Sequence, residues 1–305
     1  MKIRSYAKIN LSLDVTGTRK DGYHYVEMLM LGIGLYDETE VNISSEGDGG
    51  DNRIALLCDS PNIPTDKRNT AWKAAEVMLD RCGNRRGLKT EINKIEINIK
   101  KNIPAAAGLA GGSSDAAAVL IALNRLLGLN LSDRELCAEG AKVGADVPFS
   151  IMTVLGTPCA LARGIGDELT PVFRKHTPEY WILLVKPPVD IITADVYKKF
   201  DSVDITEIKR PRTDSAVSAV ETGDIKRLRK SASNVLESVT LALHPEVMLI
   251  KETLMRSYPD NLTLMSGSGP TVYTLFTDRS SAEKAHMWAN SEFQDCKCFV
   301  AEGLI

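Results

Sequence analysis

Pro104-Ala105-Ala106-Ala107-Gly108-Leu109-Ala110-Gly111-Gly112-Ser113-Ser114-Asp115 decides how the rest of this chain is read. Three glycines and two hydroxyls stand directly before Ala116-Ala117-Ala118, a segment with the composition of a helix. Without a Cβ, glycine lets the backbone approach a ligand closely. A helix that starts just after it turns unpaired N–H groups and the positive end of its dipole toward whatever sits there. That combination suits an anion, phosphate above all. Two familiar phosphate motifs do not fit: a P-loop needs Gly-Lys-Ser/Thr where the chain has Gly112-Ser113-Ser114, and the dinucleotide fingerprint has a different glycine spacing. The plainer alternative is a glycine-rich helix entry with no ligand, so the neighbouring segments must decide.

Working outward, Ile3 to Val15 alternates, with Ile3, Ala7, Ile9, Leu11, Leu13 and Val15 on one side and Arg4, Tyr6, Lys8, Asn10, Ser12 and Asp14 on the other. The pattern predicts a half-buried strand on which Lys8 and Asn10 are next neighbours of one face. Gly17 to Gly22 reads as a turn before Tyr23-His24. Further strands are expected at 40–45, 53–58 and 92–100, and helices at 69–81 and 115–127. Ser114 is a candidate cap for the second helix, with Asp115 in its first turn. Ser132-Asp-Arg-Glu135 is a capping-box pattern for a helix over 133–143, and Asp146-Val-Pro148 follows. A strand-rich stretch ends near Gly166, and Trp181 to Val185 reads as a buried strand. Residues 190–260 read as mostly helical, and Leu262–Met265 and Thr271–Phe276 as strands joined by Ser266-Gly-Ser-Gly-Pro270. No repeat or linker is visible, and a boundary near residue 155 divides the chain into expected domains 1–155 and 156–305.

At 305 residues the chain is long enough for two ordinary domains, and its formal charge of −3 excludes binding nucleic acid or an anionic membrane by bulk electrostatics. No apolar run approaches the length of a membrane span and no signal segment opens the chain, so a soluble, cytoplasmic protein is expected. The six cysteines include no C-x-x-C pair and no histidine at ligand spacing, and read as ordinary thiols, Cys296 and Cys298 on one face of a final strand.

Three features need one explanation: a strand carrying Lys8 and Asn10, a glycine loop opening a helix, and Asp146 beyond the next helix. Each alone has a plain reading, as a solvated strand charge, a helix entry and a turn residue. Together they supply what a phosphoryl transfer to a small alcohol needs: N–H groups on nucleotide phosphates, a cation near the moving group, and a carboxylate for the acceptor's proton. A carboxylate is a weak base toward an alcohol, so it acts late, once the oxygen is bonding to phosphorus.

At these residues the chain resembles the GHMP kinases, whose phosphate loop has the form P-x-x-x-G-L-x-(G)-G-S-S. Ala7-Lys-Ile-Asn-Leu-Ser-Leu-Asp-Val-Thr-Gly17, Asp21-Gly-Tyr-His24, Gly144-Ala-Asp-Val-Pro148, Asn234-Val-Leu-Glu237 and Met265-Ser-Gly-Ser-Gly-Pro-Thr-Val272 sharpen the resemblance to the branch that phosphorylates 4-diphosphocytidyl-2-C-methyl-D-erythritol. The resemblance implies a two-domain α+β GHMP kinase fold: a ribosomal-protein-S5-like N-terminal domain, a ferredoxin-like C-terminal domain, and the active site in the cleft between them. It implies ATP and Mg2+, a cytidine-diphosphate-linked polyol as small-molecule substrate, no nucleic-acid or membrane partner, and a monomer or homodimer. Carried over residue by residue, Lys8 and Asp146 are the catalytic pair. Asn10, Tyr23, His24 and Thr193 face the substrate, Tyr23 and His24 as a clamp on cytosine. Asn69, Lys101 and the loop Pro104, Ala105, Ala106, Ala107, Gly108, Leu109, Ala110, Gly111, Gly112, Ser113 and Ser114 face ATP. The metal ligands stay open: Ser114 is a candidate hydroxyl, and with no second carboxylate evident the ion rests on phosphates and water.

The chain departs from the commonest family pattern in two places. Ala110 stands where many members have glycine, and its methyl is expected to exclude positive φ there at low cost. Asn234-Val235 stands where Asn-Asp is common. Two other readings are a GHMP kinase for mevalonate or homoserine, for which Tyr23-His24 would have no purpose, and a non-catalytic ligand sensor, which would have no need of Lys8 and Asp146.

Overall fold

The structure is a computed structural model that describes residues 1–45, 53–83, 92–174, 179–204, 206 and 208–305. Its elements run β1(Lys2–Thr18), β2(His24–Ser44), β3(Ile54–Cys58), α1(Thr70–Gly83), β4(Lys94–Lys100), α2(Gly111–Leu126), α3(Asp133–Ala141), α4(Val147–Val154), β5(Cys159–Arg163), β6(Glu168–Pro171) and β7(Trp181–Lys186). There follow α5(Thr193–Phe200), α6(Thr213–Thr222), α7(Ile225–Ser231), α8(Glu237–Leu243), α9(Pro245–Ser257), β8(Leu262–Met265), β9(Val272–Phe276), α10(Arg279–Glu292) and β10(Lys297–Glu302). Within the helical stretch expected over 190–260, positions 205 and 207 lie outside the described residues.

The chain forms two compact units with interleaved segments: Met1–Ala7, Tyr36–Ala105 and Ala110–Thr157 in the first, and Lys8–Leu35, Ala106–Leu109 and Pro158–Ile305 in the second. A single cut near 155 falls close to the last boundary of the first unit. It leaves Lys8–Leu35 and Ala106–Leu109 on the N-terminal side, although their contacts are with the second unit.

In the first unit β4 lies between β3, parallel to it, and the C-terminal half of β2, antiparallel. Ile95, Ile97 and Ile99 point into the core, as their alternation requires. Helix α2 is buried on every side from Ser114 to Leu123 and packs against α1, α3 and α4. Its alanines let neighbouring backbones come close, and its apolar residues leave no solvent face. The capping box of α3 forms as its sequence predicts: Ser132 Oγ accepts from the Glu135 N–H and the Glu135 carboxylate accepts from the Ser132 N–H.

In the second unit β5 pairs with β2 and with β6, and a separate antiparallel sheet has the order β10-β7-β9-β8. Numbered from β7, that is 4-1-3-2, the arrangement of a β-α-β-β-α-β unit with extra helices in its first crossover. Helix α10 packs on β7, β9 and β10, and α9 on β8 and β9. The turn from β8 to β9, residues 266–270, is closed by Ser266 N–H to Thr271 O at 2.9 Å and Gly269 N–H to Ser266 O at 2.9 Å, with Gly267 and Gly269 at φ 57° and 90°. It meets the loop residue Gly108, whose carbonyl accepts from Ser266 Oγ at 2.9 Å.

Three sequence expectations change. Helix α2 starts at Gly111 rather than 115, so Ser114 is a buried residue of its first turn and not a cap, and Asp115 lies a full turn inside. β2 runs for 21 residues, where the sequence suggested only 40–45. The polar face of β1 is buried too: Lys8, Asn10, Ser12 and Asp14 are each at most 9 % exposed.

Two measurements check this framework. A Cβ on Gly108 would lie 2.3 Å from the Ser266 carbonyl oxygen and 2.9 Å from that of Gly269, at a φ of 72°. Gly108→Ala is therefore expected to lower the unfolding free energy by about 3 kcal/mol in a urea titration, from overpacking and left-handed strain together; a loss below about 0.5 kcal/mol would contradict the close approach. In the first unit, the Lys101 ammonium is shared by Asp115, at 2.7 Å, and Asp37. Burial drives the Asp115 carboxyl up to about 7, against the pull of Lys101 and with the repulsion of Asp37. The folded protein then holds a proton that the unfolded chain releases near its ordinary value of 3.8. Stability from this group is full below that value and is lost as pH rises toward 7, at up to about 1.4 kcal/mol per pH unit. Asp115→Asn leaves one cation facing one carboxylate and should flatten this slope relative to wild type; identical slopes would show that the cluster takes up no proton.

Candidate active site

The loop from Pro104 to Ser114 has an unusual backbone. Ala106, Gly108 and Ala110 take φ of 47°, 72° and 58°, while Ala107 and Leu109 between them do not. Alternating left-handed with ordinary residues turns successive N–H groups toward one side, the geometry of an anion-binding concavity. Ala110 contradicts the expectation that its methyl would exclude positive φ. It is the N-cap of α2, with φ 58° and ψ 28° and no side-chain cap, and its carbonyl already accepts the Ser114 N–H at 2.9 Å. The first helical hydrogen bond thus holds Ala110 in a conformation that costs an L-residue about 1–2 kcal/mol. Gly112 is exposed and Gly111 and Ser113 half-buried, so the N–H groups that open α2 are within reach of a ligand.

In the second unit several of the expected residues meet. Lys8 Nζ donates to Asn10 Oδ1 at 2.8 Å, and both side chains are buried. The Lys8 N–H holds the loop through Leu109 O at 3.1 Å, so the residue that presents the ammonium also anchors the glycine segment. A Cβ on Gly267 would come 3.6 Å from Asn10 Oδ1, which places Asn10 beside the β8–β9 turn. Thr193, the first residue of α5, bonds that turn through Ser268 Oγ at 2.9 Å. Tyr23 sits at the tip of the β1–β2 turn, 62 % exposed, while His24 beside it is covered.

In the first unit Asp146 occupies the N-cap position of α4, which begins Val147-Pro148 with proline in the first turn. Its carbonyl accepts from Ser150 N–H and Ser150 Oγ, both at 3.1 Å. Asn69 caps α1: its Oδ1 accepts from the Ala71 N–H at 2.8 Å and its Nδ2 donates to Pro64 O at 2.7 Å. Thr70 Oγ1 donates to Gly112 O at 2.7 Å, tying α1 to the loop. Lys101 reaches the underside of the loop, 3.4 Å from where a Cβ on Gly111 would stand, with its charge met by Asp37 and Asp115.

Ser114 does not suit a metal. Its hydroxyl is fully buried and donates to Tyr6 O at 2.6 Å, with Ala110 O at 3.0 Å. Among the described residues no three His, Cys, Asp or Glu side chains are grouped to hold a metal ion, and no helix is long and apolar enough to cross a membrane.

Sequence reasoning missed four residues that shape these clusters. Tyr273 is fully buried and its hydroxyl donates to Asn10 O at 2.9 Å; burial raises its pKa well above the ordinary value, keeping it a donor. Asn234 bonds Met265 O and Gly267 O and so braces the β8–β9 turn. Tyr197 and Asp201 lie against His24. Only Asn234 stood in a quoted motif; the others follow from pairings more than 170 residues apart in sequence.

The family model for the GHMP kinases N terminal domain matches residues 69–153, and that for the GHMP kinases C terminal matches residues 216–288. A protein of Clostridium novyi (strain NT) named 4-diphosphocytidyl-2-C-methyl-D-erythritol kinase is 42 % identical over 298 residues, 97 % of this chain and 98 % of its own length. A protein of the same name from Caldicellulosiruptor saccharolyticus is 43 % identical over 286 residues, 93 % of this chain and 91 % of its own. A crystal structure of 4-(cytidine 5'-diphospho)-2C-methyl-D-erythritol kinase superposes with a TM-score of 0.75 at 29 % identity, covering 99 % of each chain. With its glycine-rich loop, its two α+β domains and this full-length likeness, the chain belongs to the GHMP kinases, in the family of 4-diphosphocytidyl-2-C-methyl-D-erythritol kinases.

Proposed function

We propose that this protein transfers the γ-phosphoryl group of ATP to the 2-hydroxyl of 4-diphosphocytidyl-2-C-methyl-D-erythritol, a step of the non-mevalonate route to isoprenoids. The observation that carries this is identity above 40 % over more than nine-tenths of the chain to kinases of that name. The residues retained agree with it. The loop amides supply a cradle for the donor's phosphates. The Asp146 carboxylate takes the proton of the acceptor hydroxyl as its oxygen bonds to phosphorus. The Lys8 ammonium, oriented by Asn10, lowers the cost of charge on that hydroxyl and on the moving group. Tyr23 offers an open ring face on which a pyrimidine can stack, and His24 a ring nitrogen for its edge.

On this reading Asn69 and Lys101 serve ATP by fixing the loop: one caps the helix that ties to Gly112, the other fills the space beneath Gly111. Thr193 and the β8–β9 turn face the substrate. Mg2+ would come with ATP and rest on phosphate and water, since the Ser114 hydroxyl is spent on backbone carbonyls. Residues 1–155, with the phosphate loop, and residues 156–305 serve as the N-terminal and C-terminal GHMP kinase domains of a cytoplasmic enzyme that is a monomer or homodimer.

ADP release measured with three acceptors tests the reading. ADP should form with 4-diphosphocytidyl-2-C-methyl-D-erythritol and stay at background with mevalonate and homoserine. Asp146→Asn, which keeps the shape of the side chain, should fold normally and turn over roughly 10²–10⁴-fold more slowly. Preference for mevalonate or homoserine would overturn the substrate, and near-normal turnover by Asp146→Asn would overturn the mechanism.

A further inference from the structure

The contact between His24 and Asp201 has no role in the reaction described so far. His24 opens β2 and its side chain is 7 % exposed. Nε2 lies 2.7 Å from Asp201 Oδ1, and the ring rests on Tyr197 with centroids 5.0 Å apart and planes at 35°. Among the described residues the ring makes no other hydrogen bond, so Nδ1 is left without a partner in a side chain more than nine-tenths covered. Asp201 directly follows α5, and its own N–H bonds back to that helix, so its position is set by the backbone.

We propose that Asp201 is a positioning residue that holds His24 in one ring orientation and one tautomer, so that Nδ1 reads the pyrimidine's exocyclic amino group. The chemistry follows from the donor inventory. A carboxylate only accepts, so the proton of the neutral imidazole sits on Nε2 and Nδ1 keeps its lone pair. A 4-amino pyrimidine offers an N–H to that lone pair. A 4-oxo pyrimidine offers a second lone pair, which leaves two acceptors facing each other in a covered site. Tyr197 limits the ring's freedom to turn away. Asp201 thus acts on specificity through His24 and touches no reacting atom. The proposal rests on reading Tyr23 and His24 as the base site.

The test compares wild type, Asp201→Ala, Asp201→Asn and His24→Ala for KM and kcat with the cytidine-diphosphate substrate, and for competitive inhibition by CDP and UDP. Asp201 is half exposed on its surface side, so its variants should fold, which thermal melts would verify. Wild type should bind CDP on the order of tenfold or more tighter than UDP. Asp201→Ala should raise KM on the order of tenfold, leave kcat within about twofold, and erase most of the CDP preference. Asp201→Asn, which keeps an acceptor in the same place, should recover much of both. If His24→Ala raises KM while Asp201→Ala changes neither KM nor the CDP preference, the role of Asp201 is overturned and the base site stands. If His24→Ala changes neither, the base-site reading falls and takes this proposal with it.

Discussion

A short strand edge and a loop depend on each other here. The loop residues Ala106, Gly108 and Ala110 occupy left-handed conformations that a free chain would abandon, two of them with a Cβ to accommodate. What holds them is hydrogen bonding from outside the loop. β1 contributes twice, through the Lys8 N–H to Leu109 O in the second unit and through Tyr6 O, which accepts from Ser114 Oγ, in the first. Ser266 Oγ closes on Gly108 O. The strain stored in the loop is offset by fixed partners, and the result is a row of amides in place before a ligand arrives. The ammonium of Lys8 shares its residue with one of those anchors, so charge and loop are positioned by the same backbone.

That arrangement puts a polar stripe in a buried strand, and each polar group needs a partner. Lys8 is matched to Asn10, the Asn10 carbonyl to Tyr273, and Asp14 to Arg210, whose Nε and Nη2 lie 3.0 and 2.8 Å from Oδ1. Ser12 Oγ is an exception, buried with no partner among the described residues. In the first unit the equivalent cost falls on Asp37, Lys101 and Asp115. There one cation serves two carboxylates, and the excess charge is relieved by a raised carboxyl pKa. The polar core of each unit lies next to its segment of the loop.

Local chemistry was readable where a few adjacent residues decide the outcome. The box Ser132 to Glu135, the alternation of Ile95, Ile97 and Ile99, and the glycines at 108 and 267 all do what their letters imply. The long β2 was not readable over Met28 to Leu35. From Met28 to Ile33 both of its faces are buried, so no alternation survives to separate strand from helix. The start of α2 at Gly111, four residues before the expected 115, is masked in the sequence by the poor helix propensity of glycine and serine. Packing by α1 and the bond from Thr70 to Gly112 override that preference. The left-handed Ala110 is not legible in the sequence, because a residue's cost in that region can be read locally whereas the hydrogen bonds that impose it cannot. Asp201 and Tyr197 are 177 and 173 positions from His24, and no periodicity carries information across that distance.

The central claim is that the 104–114 backbone is a preformed phosphate cradle. A crystal structure with a non-hydrolysable ATP analogue tests it most directly. Phosphate oxygens should lie within about 3.2 Å of backbone nitrogens between Gly108 and Ser113, with Ala106, Gly108 and Ala110 still at positive φ. Phosphates bound away from those nitrogens, or a loop that changes conformation to receive them, would contradict it.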